Sequence, residues 1–241
     1  MSNGWFIAGT DTGVGKTFIA ELILEGLNAA GVAAVGMKPV ASGCRDTAAG
    51  VRSDDAERLL AASCAAIPYE IANPFAFVEP VAPHIAADTI GRPIDIGVID
   101  SCYQKISRIG RVVVEGVGGW RVPIGPDRTM ADVAAALRLP IVLVVGVRLG
   151  CINHAMLTAG AIAADGLELA GWVANTVVPD MARHAETIAD NAKDKNFEGA
   201  TLAYLELTLT CVKCHKYVRE ERRVEGSPLL PPDRALVRAA R

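Results

Sequence analysis

Apolar runs of strand length alternate along the chain with longer segments whose apolar residues recur at helical spacing. The runs predict strands over residues 5–9, 33–40, 111–115, 141–146 and 169–175. The segments between and after them predict helices over residues 17–30, 54–63, 94–107, 130–138, 153–165 and 181–193. Short, continuous Val, Ile and Leu runs separated by helices are typical of a mainly parallel sheet covered by helices on both faces. We therefore predict a single-domain, doubly wound α/β fold, with ligands bound beyond the carboxyl ends of the strands.

Two local signals mark helix ends within this pattern. Gly31 follows the first predicted helix and suits the left-handed position just past a helix C-terminus. Thr129 and Asp132 have the spacing of a capping box, in which side chains bond the free N–H groups of a first turn. The sequence therefore predicts where the first helix ends and where the helix over residues 130–138 begins.

The composition narrows the classes of partner. With 241 residues, 51% of them apolar, the chain suits one α/β domain with a sizeable core. Its net charge of −3 disfavours a nucleic-acid partner, because binding a phosphate backbone needs an excess of basic residues. The apolar run 140–147 is far shorter than the roughly 20 residues of a membrane span, and the first residues lack the basic segment of a secretory signal. With six scattered cysteines, we expect a cytoplasmic protein without a membrane partner.

The last 31 residues depart from the alternating pattern. Residues 211–241 hold eight basic and four acidic side chains and a proline-rich stretch at 227–232. We therefore divide the chain into a domain of residues 1–210 and a basic tail of residues 211–241 that is a candidate for disorder. Cys211, Cys214 and His215 match a c-type haem attachment signature and could also contribute to a zinc site. A solvated tail is the interpretation that we favour.

A glycine-rich segment follows the first strand and opens the first helix. It runs Gly-Thr-Asp-Thr-Gly-Val-Gly-Lys-Thr over residues 9–17 and differs from the strict P-loop pattern, because Thr10 stands where the first glycine belongs. Consecutive backbone N–H groups at a helix N-terminus can cradle phosphates. Lys16 would then reach the β- and γ-phosphates, and Thr17 would bind Mg²⁺. The alternative is a plain strand–helix turn with a solvated lysine.

Further charged residues stand where strands and helices meet the predicted ligand edge. Glu115 ends one strand directly before the glycine-rich residues 116–119, where it could bind a metal ion. Asp54 and Asp55 open a helix; we assign Asp54 the N-cap and leave Asp55 free to face the metal. Lys38 ends the second predicted strand, where a cation is expected to meet an anion. A surface lysine and a solvated glutamate remain the alternatives.

Taken in their order along the chain, these motifs resemble those of the dethiobiotin synthetase family of ATP-dependent enzymes. The matching segments are residues 9–17, 38–43, 52–56, 80–87, 114–120, 150–158 and 171–175. The most specific are Lys-Pro-Val-Ala-Ser-Gly at 38–43 and Gly-Cys-Ile-Asn-His at 150–154, and the stretched P-loop is itself a family trait. The resemblance covers about residues 5–190 and implies the fold of P-loop nucleoside triphosphatases.

The resemblance implies an ATP-dependent cyclo-ligase that forms carbon–nitrogen bonds in biotin biosynthesis. Its substrates are 7,8-diaminononanoate, CO₂ from bicarbonate, and ATP as co-substrate, with Mg²⁺ as cofactor. One amine becomes a carbamate, which attacks the γ-phosphate to give a carbamic–phosphoric anhydride. The second amine then displaces phosphate and closes the ureido ring of dethiobiotin. The family also implies a homodimer.

By the same resemblance, the site residues fall into four groups. Those that act on the reacting groups are Lys16, Lys38 and Thr12. Those that contact the nucleotide are Gly13, Val14, Gly15, Lys16, Thr17, Phe18, Asp55, Glu115, Gly116, Val117, Gly118, Asn175, Thr176, Ala203, Tyr204 and Leu205. The ligands of Mg²⁺ are Thr17, Asp55 and Glu115. Those that contact the diamine or its carboxylate tail, in part across the dimer, are Thr12, Lys38, Ser42, Gly118, Gly150, Cys151 and Asn153.

The chain departs from the family after about residue 190. The segment 199–205 is the nearest equivalent of an adenine-contacting segment, with Ala203 where the family has proline. Two rival functions stay open on the sequence. One is a nucleotide-switch ATPase of the ParA/MinD type, although Thr10, Asp11 and Thr12 occupy the region where those proteins carry an additional lysine. The other is a weakly active paralogue.

Overall fold

The computed structural model describes residues 3–176 of the chain, and its elements alternate between strands and helices. The strands within this range are β1 (Gly4–Gly9), β2 (Ala34–Met37), β3 (Val40–Ala41), β4 (Arg45–Thr47), β5 (Gly50–Arg52), β6 (Phe75–Ala76), β7 (Arg111–Glu115), β8 (Pro123–Gly125), β9 (Arg128–Thr129), β10 (Ile141–Gly146) and β11 (Leu169–Asn175). The helices are α1 (Lys16–Ala29), α2 (Asp54–Ala61), α3 (Tyr69–Ala72), α4 (Pro83–Thr89), α5 (Ile96–Ile106), α6 (Met130–Leu137) and α7 (Cys151–Ala164).

Five strands form one parallel sheet in the order β11-β10-β1-β7-β2. Three of them, β7, β10 and β11, have the bounds that the apolar runs predict. Since all five strands point the same way, their carboxyl ends share one edge, which β1 continues into the glycine-rich segment and β7 ends with Glu115. The predicted α/β fold with a parallel sheet is confirmed.

The core lies on both faces of this sheet. Along β7, Val112 and Val114 belong to one buried cluster and Val113 to the other. The same alternation separates Phe6 from Ile7 on β1. Residues of α1 and α2 join the cluster of Ile7, and residues of α5, α6 and α7 join the cluster of Phe6. Because both faces are covered, the central strands read as continuous apolar runs rather than as alternating ones.

The second predicted strand is shorter than the sequence suggests. Residues 33–40 were predicted as one strand, but β2 ends at Met37 and Val40–Ala41 pair instead with Phe75–Ala76 in a separate two-stranded sheet. Pro39 has no N–H to continue a ladder, and its carbonyl accepts the N–H of Phe75 at 3.2 Å. Lys38 therefore lies at a junction between two sheets rather than inside one strand.

Two of the predicted helix ends are confirmed. Gly31 has a φ of +76° just after α1, and its N–H donates to the carbonyl of Asn28. The N–H and hydroxyl of Thr129 both donate to Asp132 Oδ2, at 2.8 and 2.9 Å, as the capping box requires. The expectation for Asp54 is wrong, because Ser53 is the N-cap of α2. Its backbone is extended and its hydroxyl accepts the N–H of Ala56, while Asp54 is already the first helical residue.

Several predictions lie outside the described residues. These are the helix over residues 181–193, the segment 199–205, the cysteine pair with His215, and the tail 211–241. No helix in the described range 3–176 is long and apolar enough to cross a membrane.

Candidate active site

The P-loop surrounds the side chain of its own lysine. Gly13 and Gly15 have φ values of +72° and +87°, a left-handed conformation that glycine adopts without strain. A Cβ atom at Gly9 would come within 2.9 Å of Lys16 Cδ, so the turn is closed tightly on that side chain. Lys16 is 6% exposed, and its Nζ donates to the carbonyl of Asp11 at 2.8 Å. The glycines therefore allow the loop to close around the buried ammonium group of Lys16.

The tip of the P-loop meets two neighbouring loops. Asp11 Oδ1 accepts the N–H of Thr12 at 2.8 Å, and Asp11 Oδ2 pairs with the guanidinium of Arg148. Thr12 and Gly13 are exposed at the tip. Thr12 Oγ1 is 3.6 Å from where a Cβ of Gly118 would stand, so the P-loop and the loop after β7 approach each other there.

A second lysine lies between two carboxylates at the same edge of the sheet. Lys38 Nζ is 2.6 Å from Glu115 Oε1, 2.9 Å from Asp55 Oδ2 and 3.3 Å from the carbonyl of Gly116. Thr17, in the first turn of α1, donates its hydroxyl to the same Glu115 oxygen at 2.9 Å. Lys38 is 3% exposed and Glu115 is 1% exposed. The structure thus brings together four residues from β7, α1, α2 and the end of β2, as the sequence predicts.

The charges in this cluster determine the pKa values of its members. Burial alone would lower the pKa of Lys38, but the carboxylates of Glu115 and Asp55 outweigh it and raise that pKa above its usual value. Burial would raise the pKa of Asp55, but the Lys38 ammonium outweighs it and lowers that pKa. At Lys16, burial and the neighbouring charge of Lys38 lower the pKa to about 8. Lys38 is therefore a permanent cation at neutral pH, whereas Lys16 lies close to its titration range.

Thr17, Asp55 and Glu115 form an oxygen donor set of the kind that Mg²⁺ prefers. Glu115 Oε2 is buried and accepts no hydrogen bond in the structure, so one oxygen of that carboxylate is free for a further ligand. Residues 3–176 contain no group of three or more His, Cys, Asp and Glu side chains that could enclose a metal. Mg²⁺ commonly takes one or two carboxylates and completes its shell with phosphate and water. The residues present fit this ion.

The loops around this cluster approach it with small residues. Gly116 donates its N–H to the carbonyl of Ile7 at 3.0 Å, and a Cβ atom on it would come within 3.1 Å of the Phe6 ring. Val117 is half-buried, and Gly118 has a φ of +60°. Ser42 is half-buried in the turn after β3. The loop after β7 thus begins with a glycine whose carbonyl is 3.3 Å from Lys38 Nζ.

Asn175 reaches the P-loop at the end of β11. Its Nδ2 donates to the carbonyl of Val14 at 2.9 Å, and its carbonyl accepts the N–H of Val147 at 2.8 Å. Thr176 is exposed immediately after it. Phe18 is also exposed, on the first turn of α1. The predicted contacts Ala203, Tyr204 and Leu205 lie outside the described residues.

The predicted binding segment for the substrate tail is the start of α7. Gly150 is the N-cap, with a φ of +90°, and the helix begins at Cys151, two residues before the predicted start at residue 153. Asn153 is exposed in the first turn, and Cys151 is half-buried. Among the residues of α7, Ile162 alone is fully buried. The helix contains no Asp, Glu, Lys or Arg and exposes Ile152, Met156 and Leu157.

Sequence reasoning missed the polar residues that support this site. Asn73 bonds to Lys38 and to Tyr69, and Tyr69 bonds to Ser53. Arg148 bonds to the P-loop. Asn73 stands 35 positions from Lys38 and Arg148 stands 137 positions from Asp11. Ser53 lies in the matching segment 52–56, but Tyr69, Asn73 and Arg148 lie outside every matching segment, so no local signal in the chain marks them.

The chain matches one protein family and many curated proteins. Residues 3–205 match the family described as an AAA domain. The kinase domain of Escherichia coli tyrosine kinase ETK overlaps the structure with a TM-score of 0.45 at 13% identity, over 74% of this chain and 69% of that chain.

The curated relatives are more similar in sequence to this chain than the kinase domain is. The ATP-dependent dethiobiotin synthetase BioD of Xanthomonas oryzae pv. oryzae (strain PXO99A) is 50% identical over 185 residues, which are 76% of this chain and 83% of the relative. The protein of the same name from Xanthomonas axonopodis pv. citri (strain 306) matches to the same extent. With this identity over most of both sequences, the chain belongs to the ATP-dependent dethiobiotin synthetase family.

Proposed function

We propose that the chain uses ATP to join CO₂ to the two amines of 7,8-diaminononanoate, which gives dethiobiotin, ADP and phosphate. The enzyme is then a carbon–nitrogen cyclo-ligase. The observation that carries the proposal is the Lys38 ammonium, which lies between Asp55 and Glu115, while the Thr17 hydroxyl of the P-loop helix donates to the same Glu115 oxygen. Reactions that pass through anionic phosphoryl and carbamoyl groups need fixed positive charge at this kind of position.

The P-loop residues hold the triphosphate. The backbone N–H groups of the P-loop, at the start of α1, bind phosphate oxygens, aided by the positive end of the helix. Lys16 exchanges the Asp11 carbonyl for the β- and γ-phosphates, whose negative charge favours its ammonium form against burial and the charge of Lys38. Asn175, which lies against Val14 of this loop, contacts the adenine with its remaining amide capacity. Thr176 and Phe18 complete the described nucleotide contacts.

Lys38 binds the anionic atoms that react. Its ammonium orients a carbamate oxygen toward the γ-phosphorus, where an oxygen–phosphorus bond forms as the bond to ADP breaks. The second amine then attacks the carbamoyl carbon, so a carbon–nitrogen bond forms, phosphate leaves with the electron pair, and the amine loses its proton. Mg²⁺, held by Thr17, Asp55 and Glu115, would neutralise charge on the β- and γ-phosphate oxygens when bound. No protein nucleophile is needed, because both nucleophiles belong to the substrate.

The remaining proposed contacts position the diamine. Thr12 lies in the P-loop, Ser42 in the turn after β3 and Gly118 in the loop after β7, and the two hydroxyls and the glycine backbone suit the carbamate and the amines. The N-terminus of α7, with Gly150, Cys151 and Asn153, suits the carboxylate tail.

A homodimer gives the exposed apolar face of α7 a partner. Ile152, Met156 and Leu157 are exposed on a helix that contains no Asp, Glu, Lys or Arg. Such a face is typical of a surface buried by another chain. In a two-fold dimer the same face would contribute twice, and the start of α7 would lie close to the partner's substrate. A cytoplasmic location without membrane or nucleic-acid partners belongs to the same proposal.

One assay tests the proposed reaction. The protein is incubated with MgATP, bicarbonate and 7,8-diaminononanoate, and dethiobiotin is measured by mass spectrometry alongside ADP. We expect product only when all three substrates are present, with about one ADP for each dethiobiotin, as the proposed stoichiometry requires. ATP hydrolysis that does not depend on the diamine, with no dethiobiotin formed, would contradict the proposal and favour a nucleotide-switch ATPase.

A further inference from the structure

The backbone of Lys38 is held at both of its polar atoms by one neighbouring segment. Its N–H donates to the carbonyl of Ala72 at 2.9 Å, and its carbonyl accepts the side-chain Nδ2 of Asn73 at 2.5 Å. Asn73 is buried, 3% exposed. Because a buried amide without a partner is costly, the bond from Asn73 is a strong constraint on where the Lys38 backbone lies.

A single tyrosine connects Asn73 to the first turn of α2. The Tyr69 hydroxyl donates to Asn73 Oδ1 at 2.8 Å and accepts the N–H of Ser53 at 2.6 Å. Ser53 is the buried N-cap of α2, and its carbonyl accepts the N–H of Glu57 at 3.0 Å. The phenol ring is itself covered by the guanidinium of Arg52, 4.1 Å from its centroid. The Tyr69 hydroxyl therefore bonds both Asn73 and the N-cap residue of α2.

The connection returns to Lys38 through the helix that Ser53 caps. Asp55 lies in the first turn of α2, and its Oδ2 is 2.9 Å from Lys38 Nζ. A closed path thus runs from the Lys38 carbonyl to the Lys38 ammonium. We call it the Lys38 network, and its members are Lys38, Asn73, Tyr69, Ser53 and Asp55. It fixes the lysine at both ends of its side chain.

We infer that Tyr69 and Asn73 are positioning residues of the reaction, which hold the Lys38 ammonium in register with Asp55 and Glu115. The inference rests on the proposed function of Lys38. Neither residue contacts Lys38 Nζ, so each acts through the Lys38 backbone or through α2. Lys38 has a long, flexible side chain. A displacement of its backbone or of Asp55 would move the ammonium group relative to the reacting phosphoryl group. Misplacement of a reacting group by about 1 Å can reduce a rate by about 100-fold.

A merely structural role for these bonds predicts a different outcome. If the network only anchored α3 and α2, its removal would lower the melting temperature and leave the turnover of each folded molecule unchanged. The two roles are therefore separated by kcat for the folded enzyme, measured at a temperature well below the melting transition of every variant.

The experiment uses Tyr69→Phe and Asn73→Asp in the full chain. Tyr69→Phe removes one hydroxyl, and Asn73→Asp keeps an oxygen for Tyr69 while it removes the N–H that Lys38 accepts. Tyr103→Phe is the matched control, because Tyr103 is a buried tyrosine of α5 outside the Lys38 network. Kinetic constants come from dethiobiotin formation, and ATP affinity without metal comes from calorimetry in the presence of a chelator.

We expect kcat to fall about tenfold for Tyr69→Phe and about 30-fold or more for Asn73→Asp, with KM for ATP and the metal-free ATP affinity within about threefold of the parent protein. Tyr103→Phe keeps the parent kcat. A kcat for Tyr69→Phe within twofold of the parent, or the same loss in Tyr103→Phe, would overturn the inference. If Asn73→Asp does not fold, Tyr69→Phe decides alone. If the parent protein forms no dethiobiotin, the proposed function fails, which is a separate result.

Discussion

The two buried lysines at the carboxyl edge of the sheet differ in their direct contacts and in the direction of their pKa shifts. The Lys16 ammonium contacts a backbone carbonyl, and burial with the nearby charge of Lys38 lowers its pKa to about 8. The Lys38 ammonium contacts two carboxylates, which raise its pKa in spite of complete burial. The same residue type at similar burial thus carries a weakly held proton in one place and a firmly held one in the other.

The difference corresponds to two separate tasks. Lys16 forms no ion pair with a carboxylate, and the charges of Glu115, Asp55 and Asp11 do not offset burial and Lys38, so an incoming triphosphate would further stabilise its ammonium form. Lys38 already has its partners, so its charge is present before any ligand arrives and its position is set by the protein. Electrostatic preorganisation of this second kind is what stabilises charge that develops during a reaction.

The largest expected effect is the loss of turnover in Lys38→Met. The substitution keeps a side chain of similar length and removes the cation that orients the carbamate and the γ-phosphate. We expect kcat to fall by about 10³-fold or more, the size found for other cations that act on a transferring phosphoryl group. The measurement is dethiobiotin formation at saturating substrates. A loss smaller than tenfold would mean that Lys38 does not act on the reacting groups.

Stability without ligands separates the two lysines further. Lys38→Met leaves the buried Glu115 carboxylate unpaired, and removing one partner of a buried pair costs about 3 kcal/mol or more. Lys16→Met strands no carboxylate, so we expect its free energy of unfolding to stay within about 1 kcal/mol of the parent value. Urea unfolding of both variants at neutral pH provides the comparison. Equal losses in the two variants would contradict the different surroundings.

Titration of Lys16 predicts a pH dependence for nucleotide binding. With a pKa of about 8, Lys16 is mostly charged at pH 7 and mostly neutral at pH 9. ATP favours the charged form, so its affinity is highest below pH 8 and is lost as the pH rises through that value. In a chelating buffer, we expect the Kd for ATP to rise about tenfold between pH 7 and pH 9. Lys16→Met is the control, and a steep pH dependence that persists in it would exclude Lys16 as the cause.

The smallest expected effect belongs to the ion pair at the tip of the P-loop. Arg148 and Asp11 are about half exposed, at 55% and 46%, and exposed pairs contribute about 0.2–1 kcal/mol. Arg148→Ala should therefore leave KM for ATP within about twofold of the parent value. A tenfold rise in KM would mean that this pair, and not the backbone of the loop, holds the P-loop in shape.

The main sheet could be predicted from the sequence because its strands are buried on both faces. Val112, Val113 and Val114 form an uninterrupted apolar run, and β7 has the predicted bounds. The residues that end such strands at the ligand edge, Lys38 and Glu115, could then be placed by position alone. Short elements such as β3 and β6 were missed, because a two-residue strand is too short to show a hydrophobic period and its pairing partner is distant in the sequence.

The errors at the site come from local competition that one-dimensional patterns do not resolve. Two adjacent residues, Ser53 and Asp54, could each cap α2, and the serine takes that place while Asp54 pairs with Arg45. α7 begins at Cys151 rather than at the predicted residue 153, because Gly150 adopts a left-handed conformation and serves as its N-cap. The support from Tyr69 to Lys38 depends on how three separate segments pack, and no spacing in the chain encodes it.

A crystal structure of the protein with Mg²⁺, a non-hydrolysable ATP analogue and 7,8-diaminononanoate tests the central comparison most directly. We predict that Lys16 Nζ and Lys38 Nζ both lie within about 3.2 Å of oxygens on the same nucleotide–substrate assembly, with Lys16 detached from the Asp11 carbonyl. A complex in which Lys16 keeps that carbonyl, or in which no substrate or γ-phosphate oxygen reaches Lys38, would contradict the account.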